Sequence, residues 1–359
     1  MVTETLHENA RTSNDLARER EAFYSELPEF GMGALWNVLG DALTSAPRVR
    51  SVPYIWRYRD VRPRLLRAGE LVTAEEAERR VLMLLNPGLP DAPAATATLF
   101  AGMQLILPGE IAPTHHHTPS ALRFIVEGDG AYSAVEGEKA VMRKGDYLTT
   151  PNWTWHDHGN ESEGPMIWLD GLDIPFVTKL DAVFFEEYPE ERQPIVKPID
   201  DSIRRWGSNL RPSWQAHDKL HSPLLVYRWT ATRAALHGLR DDTGSPFDGI
   251  IMEYTNPYTG GPTLPTMAAY LQLLRKGEQT RAHRHVASTV YHVAEGGGHS
   301  VIAGERFDWE EGDTFVVPTW AWHEHASVGG EAVLFSFSDR PILQSFGLDR
   351  EEALENGDQ

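Results

Sequence analysis

The stretch that decides the fold is PGEIAPTHHHTPSALRFIVEGDG, residues 108–130, because KGEQTRAHRHVASTVYHVAEGGG at residues 276–298 repeats its pattern. Each stretch is followed by a Gly-Asp turn and a Pro-x-Trp segment that leads into histidines. These segments are GDYLTTPNWTWHDHGN at 145–160 and GDTFVVPTWAWHEHAS at 312–327. The register of the histidines is preserved between the two copies. The chain therefore contains a duplicated structural unit.

Both copies consist of short runs rich in Val, Ile, Phe, Tyr and Trp, separated by Gly, Pro, Asn and Asp. This texture is typical of antiparallel strands joined by turns. The sequence therefore predicts a mainly β fold with two small β-barrels of the jelly-roll type. We expect a helical N-terminal segment (1–95) that packs on the barrels, a first barrel (96–175), an ordered connector (176–262), a second barrel (263–346) and a tail (347–359).

Helical spacing of apolar residues appears only outside the two copies. It predicts helices at residues 8–28, 34–43 and 74–80, the last with Thr73 as its N-cap. The connector carries several prolines among aromatic residues, which favours ordered turns over a flexible linker.

Composition narrows the function classes. The 359 residues include 33 Lys and Arg against 52 Asp and Glu, a net charge of −19, so we expect neither a nucleic acid nor an anionic membrane as partner. There is no cysteine, so any metal must be held by His, Asp or Glu. The polar N-terminus does not look like a signal peptide, and no apolar run is long enough to span a membrane. A cytoplasmic protein is the expectation.

Nine of the fifteen histidines fall in four short clusters, two in each copy. Residues two apart on a strand point to the same face, so His115 and His117 can share a metal while His116 points away. His156 is our choice for the third ligand. His158 shares its face and is the alternative ligand, or else an acid, base or hydrogen-bond donor. Three imidazoles suit iron, copper, nickel or zinc. The second copy offers a second candidate site at His283, His285 and His323.

The spacing of these residues resembles a known superfamily. The pattern G-x5-H-x-H, then G-x5-P-x-W-x2-H, runs here from Gly109 to His117 and from Gly145 to His156 and resembles the two cupin motifs. Its duplication resembles a bicupin. Many metal-binding cupins have a Glu three or four residues after the second histidine, but none stands at residues 118–122. The segments ALRFIVEGDGAYSAVEGE, TPNWTWHDHGN and WLDGLDIPF are similar to the gentisate 1,2-dioxygenase group of ring-cleaving bicupins.

This resemblance implies an oxidoreductase that incorporates both atoms of O2. It implies one Fe(II) held by His115, His117 and His156. The implied reaction opens gentisate (2,5-dihydroxybenzoate) between its carboxyl-bearing and hydroxyl-bearing carbons to maleylpyruvate, in aromatic hydrocarbon catabolism. It also implies a homo-oligomer, commonly a tetramer.

A carboxylate substrate requires a fixed cation, for which Arg has the best shape. Arg123 lies six residues after His117 and would share its face on an unbroken strand, and the resemblance supports this assignment. Arg79 or Arg80 is a second candidate. The alternative is that these arginines form salt bridges in an acidic protein.

The resemblance also places Gln104 and Asp170 near the metal pocket. Gln104 would bind substrate, and Asp170 would orient a histidine or bind a ring hydroxyl. The alternative for Asp170 is a turn-forming role in the sequence DGLD. Four tryptophans beside the third-ligand histidines are expected to belong to the barrel core, with stacking on the substrate as the alternative: Trp153, Trp155, Trp320 and Trp322.

Other functions remain as alternatives. Salicylate or 1-hydroxy-2-naphthoate could replace gentisate, since the chelating groups are the same. A manganese bicupin acting on oxalate is disfavoured by the missing Glu. A non-catalytic ligand-binding or storage bicupin is the alternative of another class, and the intact histidine sets argue against it.

Overall fold

The computed structural model describes residues 13–355 and 357–359. The chain divides into two units, Met1–Arg48 and Val49–Gln359. The first unit contains α1 (Ser13–Glu26), a 3-10 helix (Leu27–Phe30) and α2 (Leu35–Ala42). The predictions of helices at 8–28 and 34–43 are thus confirmed, except for residues 8–12, which lie outside the described residues.

The second unit contains two barrels with short helices around them. Its helices are α3 (Tyr58–Leu71), α4 (Ala74–Ala77), α5 (Ile174–Lys179), α6 (Asp201–Trp206), α7 (Trp229–Gly238) and α8 (Arg340–Ser345). The strands associated with the first barrel are β2 (Val81–Met83), β3 (Phe100–Ile106), β4 (Ile111–His117), β5 (Ala121–Glu127), β6 (Asp129–Val135), β7 (Glu138–Arg143), β8 (Tyr147–Thr150), β9 (His156–Asn160), β10 (Met166–Leu172), β11 (Phe185–Glu187) and β12 (Val226–Tyr227). Those associated with the second are β1 (Tyr54–Trp56), β13 (Ile250–Glu253), β14 (Ala268–Leu274), β15 (His283–His285), β16 (Thr289–Glu295), β17 (Gly297–Ile302), β18 (Glu305–Glu310), β19 (Thr314–Val317), β20 (His323–Ser327), β21 (Ala332–Ser338) and β22 (Glu351–Ala353).

Over the described part of the chain these strands form four antiparallel sheets, two in each barrel. The first barrel combines the sheet β12-β8-β5-β10-β3-β2 with the sheet β11-β4-β9-β6-β7. The second combines β1-β19-β16-β21-β14-β13 with β18-β17-β20-β15-β22. The predicted mainly β fold with two jelly-roll barrels is confirmed.

Helix α4 begins as predicted but is shorter. The Thr73 hydroxyl accepts a hydrogen bond from the Glu76 backbone at 3.1 Å, and the Glu76 carboxylate accepts one from the Thr73 backbone at 3.1 Å. This capping box satisfies backbone donors that the first helical turn leaves free. The helix ends at Ala77 instead of residue 80, because Glu78 has a φ of 49° and strand β2 follows immediately.

The two barrels exchange one strand each, because each barrel includes a strand from the segment that precedes the other barrel in the chain. Strand β1 precedes the first barrel in the chain but pairs with β19 of the second, while β12 precedes the second barrel but pairs with β8 of the first. The arginine after each exchanged strand binds the aspartate of a Gly-Asp turn. Arg57 pairs with Asp313, and Arg228 pairs with Asp146. The repeated unit is therefore longer than the two histidine-bearing stretches, and it begins at β1 and at β12.

The glycines of these turns make room for the exchange. A Cβ on Gly145 would lie 2.4 Å from the ring of Trp229, and one on Gly312 would lie 2.7 Å from the ring of Tyr58. Both glycines have a φ in the left-handed region, +83° and +90°. Only glycine meets both requirements at these positions.

A hydrophobic core cluster contains buried residues from both barrels. Phe124 of β5 stacks on Phe335 of β21 with ring centroids 4.3 Å apart. The β5-containing and β21-containing sheets thus pack on each other, and the interior of each barrel is left for side chains of its own two sheets. Among the described residues, no helix is long and apolar enough to cross a membrane.

Candidate metal centre

Strands β4 and β9 of the first barrel carry the predicted ligands. They pair antiparallel with His115 opposite His156, which brings the His-x-His motif next to the third histidine. One ring nitrogen from each of His115, His117 and His156 lies within 4.8 Å of the others. The structure thus brings together the three residues that the spacing selected.

The outer nitrogens of two ligands are fixed by backbone carbonyls. Nδ1 of His117 donates to the Pro119 carbonyl at 2.7 Å, and Nδ1 of His156 donates to the Thr154 carbonyl at 2.9 Å. These bonds select the tautomer in which Nε2 is free to bind a metal. Within the described residues, Nε2 of His156 is buried without a hydrogen-bond partner. A buried, unpaired nitrogen is costly unless a ligand is present, so this donor set fits a metal ion.

Burial keeps these imidazoles neutral. Desolvation, with Arg79 as the next cause, lowers the pKa of His115 to about 2. Desolvation likewise lowers the pKa of His117 to about 4 and that of His156 well below its usual value. Neutral imidazole is the form that binds metals.

Arg79 points its charge at the triad. Its Nη2 lies 2.7 Å from Nδ1 and 3.2 Å from Nε2 of His115, and it donates to the Pro113 carbonyl at 2.7 Å. Burial, followed by the nearby charge of Arg123, lowers the pKa of Arg79 to about 9. The other candidate, Arg80, forms a salt bridge with Glu110 at 2.8 Å. Of the two, Arg79 is the arginine that reaches the histidines.

Arg123 and Asp170 face each other on neighbouring strands β5 and β10. Nε of Arg123 lies 3.1 Å from Oδ1 of Asp170, and both side chains are buried. Arg123 also donates to the Thr150 hydroxyl. Burial raises the pKa of Asp170 to about 6 against the opposing effect of Arg123. The pair thus places buried charge on the six-stranded sheet of the first barrel, where the charge of Arg123 acts on His115 and His117.

The structure corrects two arguments made from the sequence. Arg123 does not continue the face of His117, because β4 and β5 belong to different sheets, and it approaches the histidines from the large sheet instead. Asp170 lies within strand β10, so the turn-forming alternative is wrong for it. The turn role belongs to Asp173, which precedes α5 and accepts a hydrogen bond from the Ser120 backbone at 2.7 Å.

His158 lies beside the triad without joining it, and Gln104 makes no contact with the triad that the structure of the described residues records. The His158 ring centroid is 5.8 Å from that of His156 and 5.6 Å from that of Trp168. Neither ring nitrogen of His158 has a hydrogen-bond partner in the part of the chain that is described. Gln104 is buried on β3 with its backbone opposite Trp168.

The tryptophans beside the third ligand stack on His116, the middle residue of the His-x-His motif, which points away from the other two histidines. His116 is stacked between Trp153 and Trp155, with ring centroids 3.8 and 3.6 Å away. Trp153 is 39% exposed, so the prediction that it belongs to the core is wrong. In the second barrel Arg284 lies over Trp320 and Trp322 in the same way. These rings are on the outside because the middle residue of the motif points there.

The second candidate triad has nearly the same geometry. Its ligand atoms, from His283, His285 and His323, also lie within 4.8 Å of one another. His285 donates from Nδ1 to the Ala287 carbonyl at 2.6 Å, and His323 donates to the Ala321 carbonyl at 3.0 Å. A cavity of about 260 Å³ opens beside His283 and His285.

The surroundings of the second triad are acidic instead of basic. Glu351 Oε1 lies 3.2 Å from Nδ1 of His283, and Asp248 Oδ1 lies 4.0 Å from its Nε2. The position of Arg123 is held by Tyr291, which is buried. The sequence analysis missed both carboxylates, because they come from the connector and the tail. The only signal for Asp248 was its place just before a strand, as for Arg79 in the first copy.

Known proteins resemble this chain over almost its whole length. Residues 102–172 and 270–338 match the cupin domain family. A gentisate 1,2-dioxygenase of Aquipseudomonas alcaligenes is 44% identical, covering 94% of this chain and 97% of that protein. A 5-aminosalicylate 1,2-dioxygenase of Comamonas sp is 42% identical, covering 93% and 90%. The crystal structure of a salicylate 1,2-dioxygenase from Pseudoaminobacter salicylatoxidans, an adduct with gentisate, is 35% identical with a TM-score of 0.89, covering 98% and 97%. With its duplicated cupin barrels and histidine triads, the chain belongs to the gentisate 1,2-dioxygenase family of bicupin ring-cleaving dioxygenases.

Proposed function

We propose that this chain is an Fe(II)-dependent dioxygenase that opens gentisate between its carboxyl-bearing and hydroxyl-bearing carbons to give maleylpyruvate. The observation that carries the proposal is a triad of buried, neutral imidazoles facing two arginines within the first barrel. The triad supplies a metal site, and the arginines supply the charge that a hydroxybenzoate requires. The activities of the similar proteins support the same reaction class.

Ferrous iron fits the donor set of His115, His117 and His156, since three nitrogen ligands leave positions open. When bound, the iron supplies the redox chemistry by which an electron-rich ring reacts with O2. The protein residues hold and orient the reactants around it. The triad is largely buried among barrel side chains, which limits the access of bulk water to it.

Arg79 is proposed as the anchor of the substrate carboxylate. Its hydrogen-bond contacts are two backbone carbonyls and a neutral imidazole, so its positive charge has no direct carboxylate partner among the described residues. Arg123 is proposed as a second cation of the pocket, but its charge is partly neutralised by Asp170. A charge-assisted hydrogen bond in this dry environment binds an anionic substrate strongly.

The remaining pocket residues are proposed to position the ring. His158 has free ring nitrogens and a pKa well below its usual value, mainly because of burial, so it is available to accept a hydrogen bond from a ring hydroxyl. Asp170 orients Arg123, and Gln104 contacts the substrate from β3.

Oxygen uptake by the iron-loaded protein tests the proposal. Gentisate, salicylate, 1-hydroxy-2-naphthoate and 5-aminosalicylate are supplied in parallel, and the product mass is determined. We expect the fastest uptake with gentisate and a product that contains both oxygen atoms. A faster reaction with another substrate would change the substrate but keep the reaction class. No uptake with any of them, despite bound iron, would contradict the proposal and favour a ligand-binding role.

The oligomer and the location are proposals of the same kind. We expect a homotetramer, which light scattering after size exclusion checks, and a cytoplasmic location, which fractionation of the source cells checks.

A further inference from the structure

The second histidine triad differs from the first in two of the side chains beside it, and the first of these changes occurs at a matching register position. Strand β11 pairs with β4 so that Phe185 lies opposite His117, and β22 pairs with β15 so that Glu351 lies opposite His285. A phenyl ring beside the first triad is thus replaced by a carboxylate beside the second. The neighbouring positions are not changed in this way, since Glu186 and Glu352 both bind the middle residue of their His-x-His motif.

The second change places an acid where the first barrel has a base. Arg79 precedes β2 and touches His115, whereas Asp248 precedes β13 and lies 4.0 Å from Nε2 of His283. The other Asp248 oxygen accepts a hydrogen bond from the Ser245 hydroxyl at 2.9 Å, which fixes the carboxylate in place. The Phe247 ring stacks on the His283 ring, with the two centroids 5.0 Å apart, and holds that imidazole in place.

The ring nitrogens of the triad fall into two groups, those with a hydrogen-bond partner and those without one. The Nδ1 atoms are occupied by Glu351 and by two backbone carbonyls. Nε2 of His283 and of His323 are buried without a partner among the residues described, and these two side chains are 3% and 0% exposed. Asp248 is on the same side as these free nitrogens.

We propose that the second barrel holds a structural divalent metal ion, bound by His283, His285, His323 and Asp248. Glu351 orients His283 from behind as a carboxylate that bonds the outer nitrogen of a ligand. Around a bound ion, three nitrogens and the Asp248 oxygen would make a closed four-ligand site, which is the arrangement of structural metal sites, whereas catalytic sites keep an open position. Arg340 also lines the cavity beside this triad, but it is paired with Asp349 and Glu351. Within the part of the chain that is described, the site thus has two carboxylates and no unpaired cation beside it, which disfavours an anionic substrate. The bound ion would tie the connector to the barrel through Asp248, and Glu351 would link the tail strand β22 to the same site.

The inference is tested apart from the catalytic function, in a His115→Ala/His156→Ala background that lacks the first triad. The metal-free protein is titrated with Co²⁺, whose visible absorption reports four-coordinate binding. We expect one Co²⁺ per chain with intense absorption and a rise in melting temperature. Asp248→Asn should weaken binding at least tenfold, and Glu351→Gln should weaken it about 10- to 100-fold.

Asp241→Asn is the matched control, because it removes an exposed carboxylate of the same connector without approaching the triad. It should leave Co²⁺ binding unchanged. As a second measurement, the otherwise unchanged chain should bind two Co²⁺ and the His323→Ala variant one. No stoichiometric uptake in the first background, or equal binding by Asp248→Asn and the control, would overturn the inference.

Discussion

The two barrels have the same strand order and the same triad geometry, yet they surround their histidines with opposite charges. The first directs Arg79 at its ligands, and the second directs Asp248 and Glu351 at them. His158 in the first barrel has unpaired ring nitrogens, whereas its counterpart His325 is hydrogen-bonded to Ser300 at 2.7 Å. The difference shows that a duplicated scaffold can keep two sets of three histidines and still change the side chains that surround each set.

The sharpest way to break this comparison is to remove one ligand from each triad. His156→Ala should abolish iron binding in the first barrel and lower oxygen uptake on the order of a thousandfold or more, since the metal supplies several kcal/mol of the rate enhancement. His323→Ala, its counterpart, should leave turnover per iron of the first barrel unchanged. Metal analysis and oxygen uptake on both variants check this. Equal loss of activity in the two variants would mean that both barrels contribute to the reaction.

The strand exchange can be compared in the same paired manner. Arg228→Ala leaves buried Asp146 and half-buried Asp200 without their cation, and should lower the free energy of unfolding by about 3–5 kcal/mol. Arg57→Ala should lower the free energy of unfolding by less, because Arg57 is more exposed than Arg228 and pairs with one aspartate, Asp313, instead of two. Denaturant unfolding measures both. Arg306→Ala, which breaks an exposed pair with Asp308, is the control and should cost about 0–1 kcal/mol.

The cation of the first pocket gives a smaller effect. Arg79→Met should raise the KM for gentisate about 10- to 100-fold, which corresponds to a charge-assisted hydrogen bond of about 1.5–3 kcal/mol, while iron stays bound. Arg80→Met is the neighbouring control. Since Arg80 pairs with Glu110, it should lower the melting temperature without a comparable change in KM. An unchanged KM in Arg79→Met would remove Arg79 from substrate binding.

The smallest effect concerns His292 of β16. The matching position in β5 is held by Phe124, which does not titrate. Burial lowers the pKa of His292 to about 3, against an ordinary value of 6.5. Between these values the unfolded chain binds a proton that the folded chain does not, so the stability falls as the pH falls below 6.5. The slope from this residue is about 1.4 kcal/mol per pH unit. His292→Asn should reduce the slope of the free energy of unfolding against pH by that amount between pH 6 and pH 4. An unchanged slope would contradict the burial argument.

Much of this protein could be predicted from local patterns. The Gly-Asp turns and the alternation of the strands depend on neighbouring residues, and the fold predicted from them was confirmed. The spacing of His115, His117 and His156 selected three residues that the structure brings together, while their role as iron ligands stays a prediction. The pairing of Arg123 with Asp170 could not be predicted, because it depends on which strands are neighbours. The parity argument placed Arg123 on the face of His117, but β4 and β5 belong to different sheets, and its role in substrate binding stays a prediction.

The sequence by itself determined the duplicated β architecture and the two sets of histidines, because periodicity and turn residues act over a few positions. Only the tertiary structure decided the character of each set. Arg79 arrives from the segment before the first barrel, Asp248 from the connector and Glu351 from the tail. Their positions follow from the pairing of β2 with β3, of β13 with β14 and of β22 with β15, and such pairing depends on packing between residues separated in the chain.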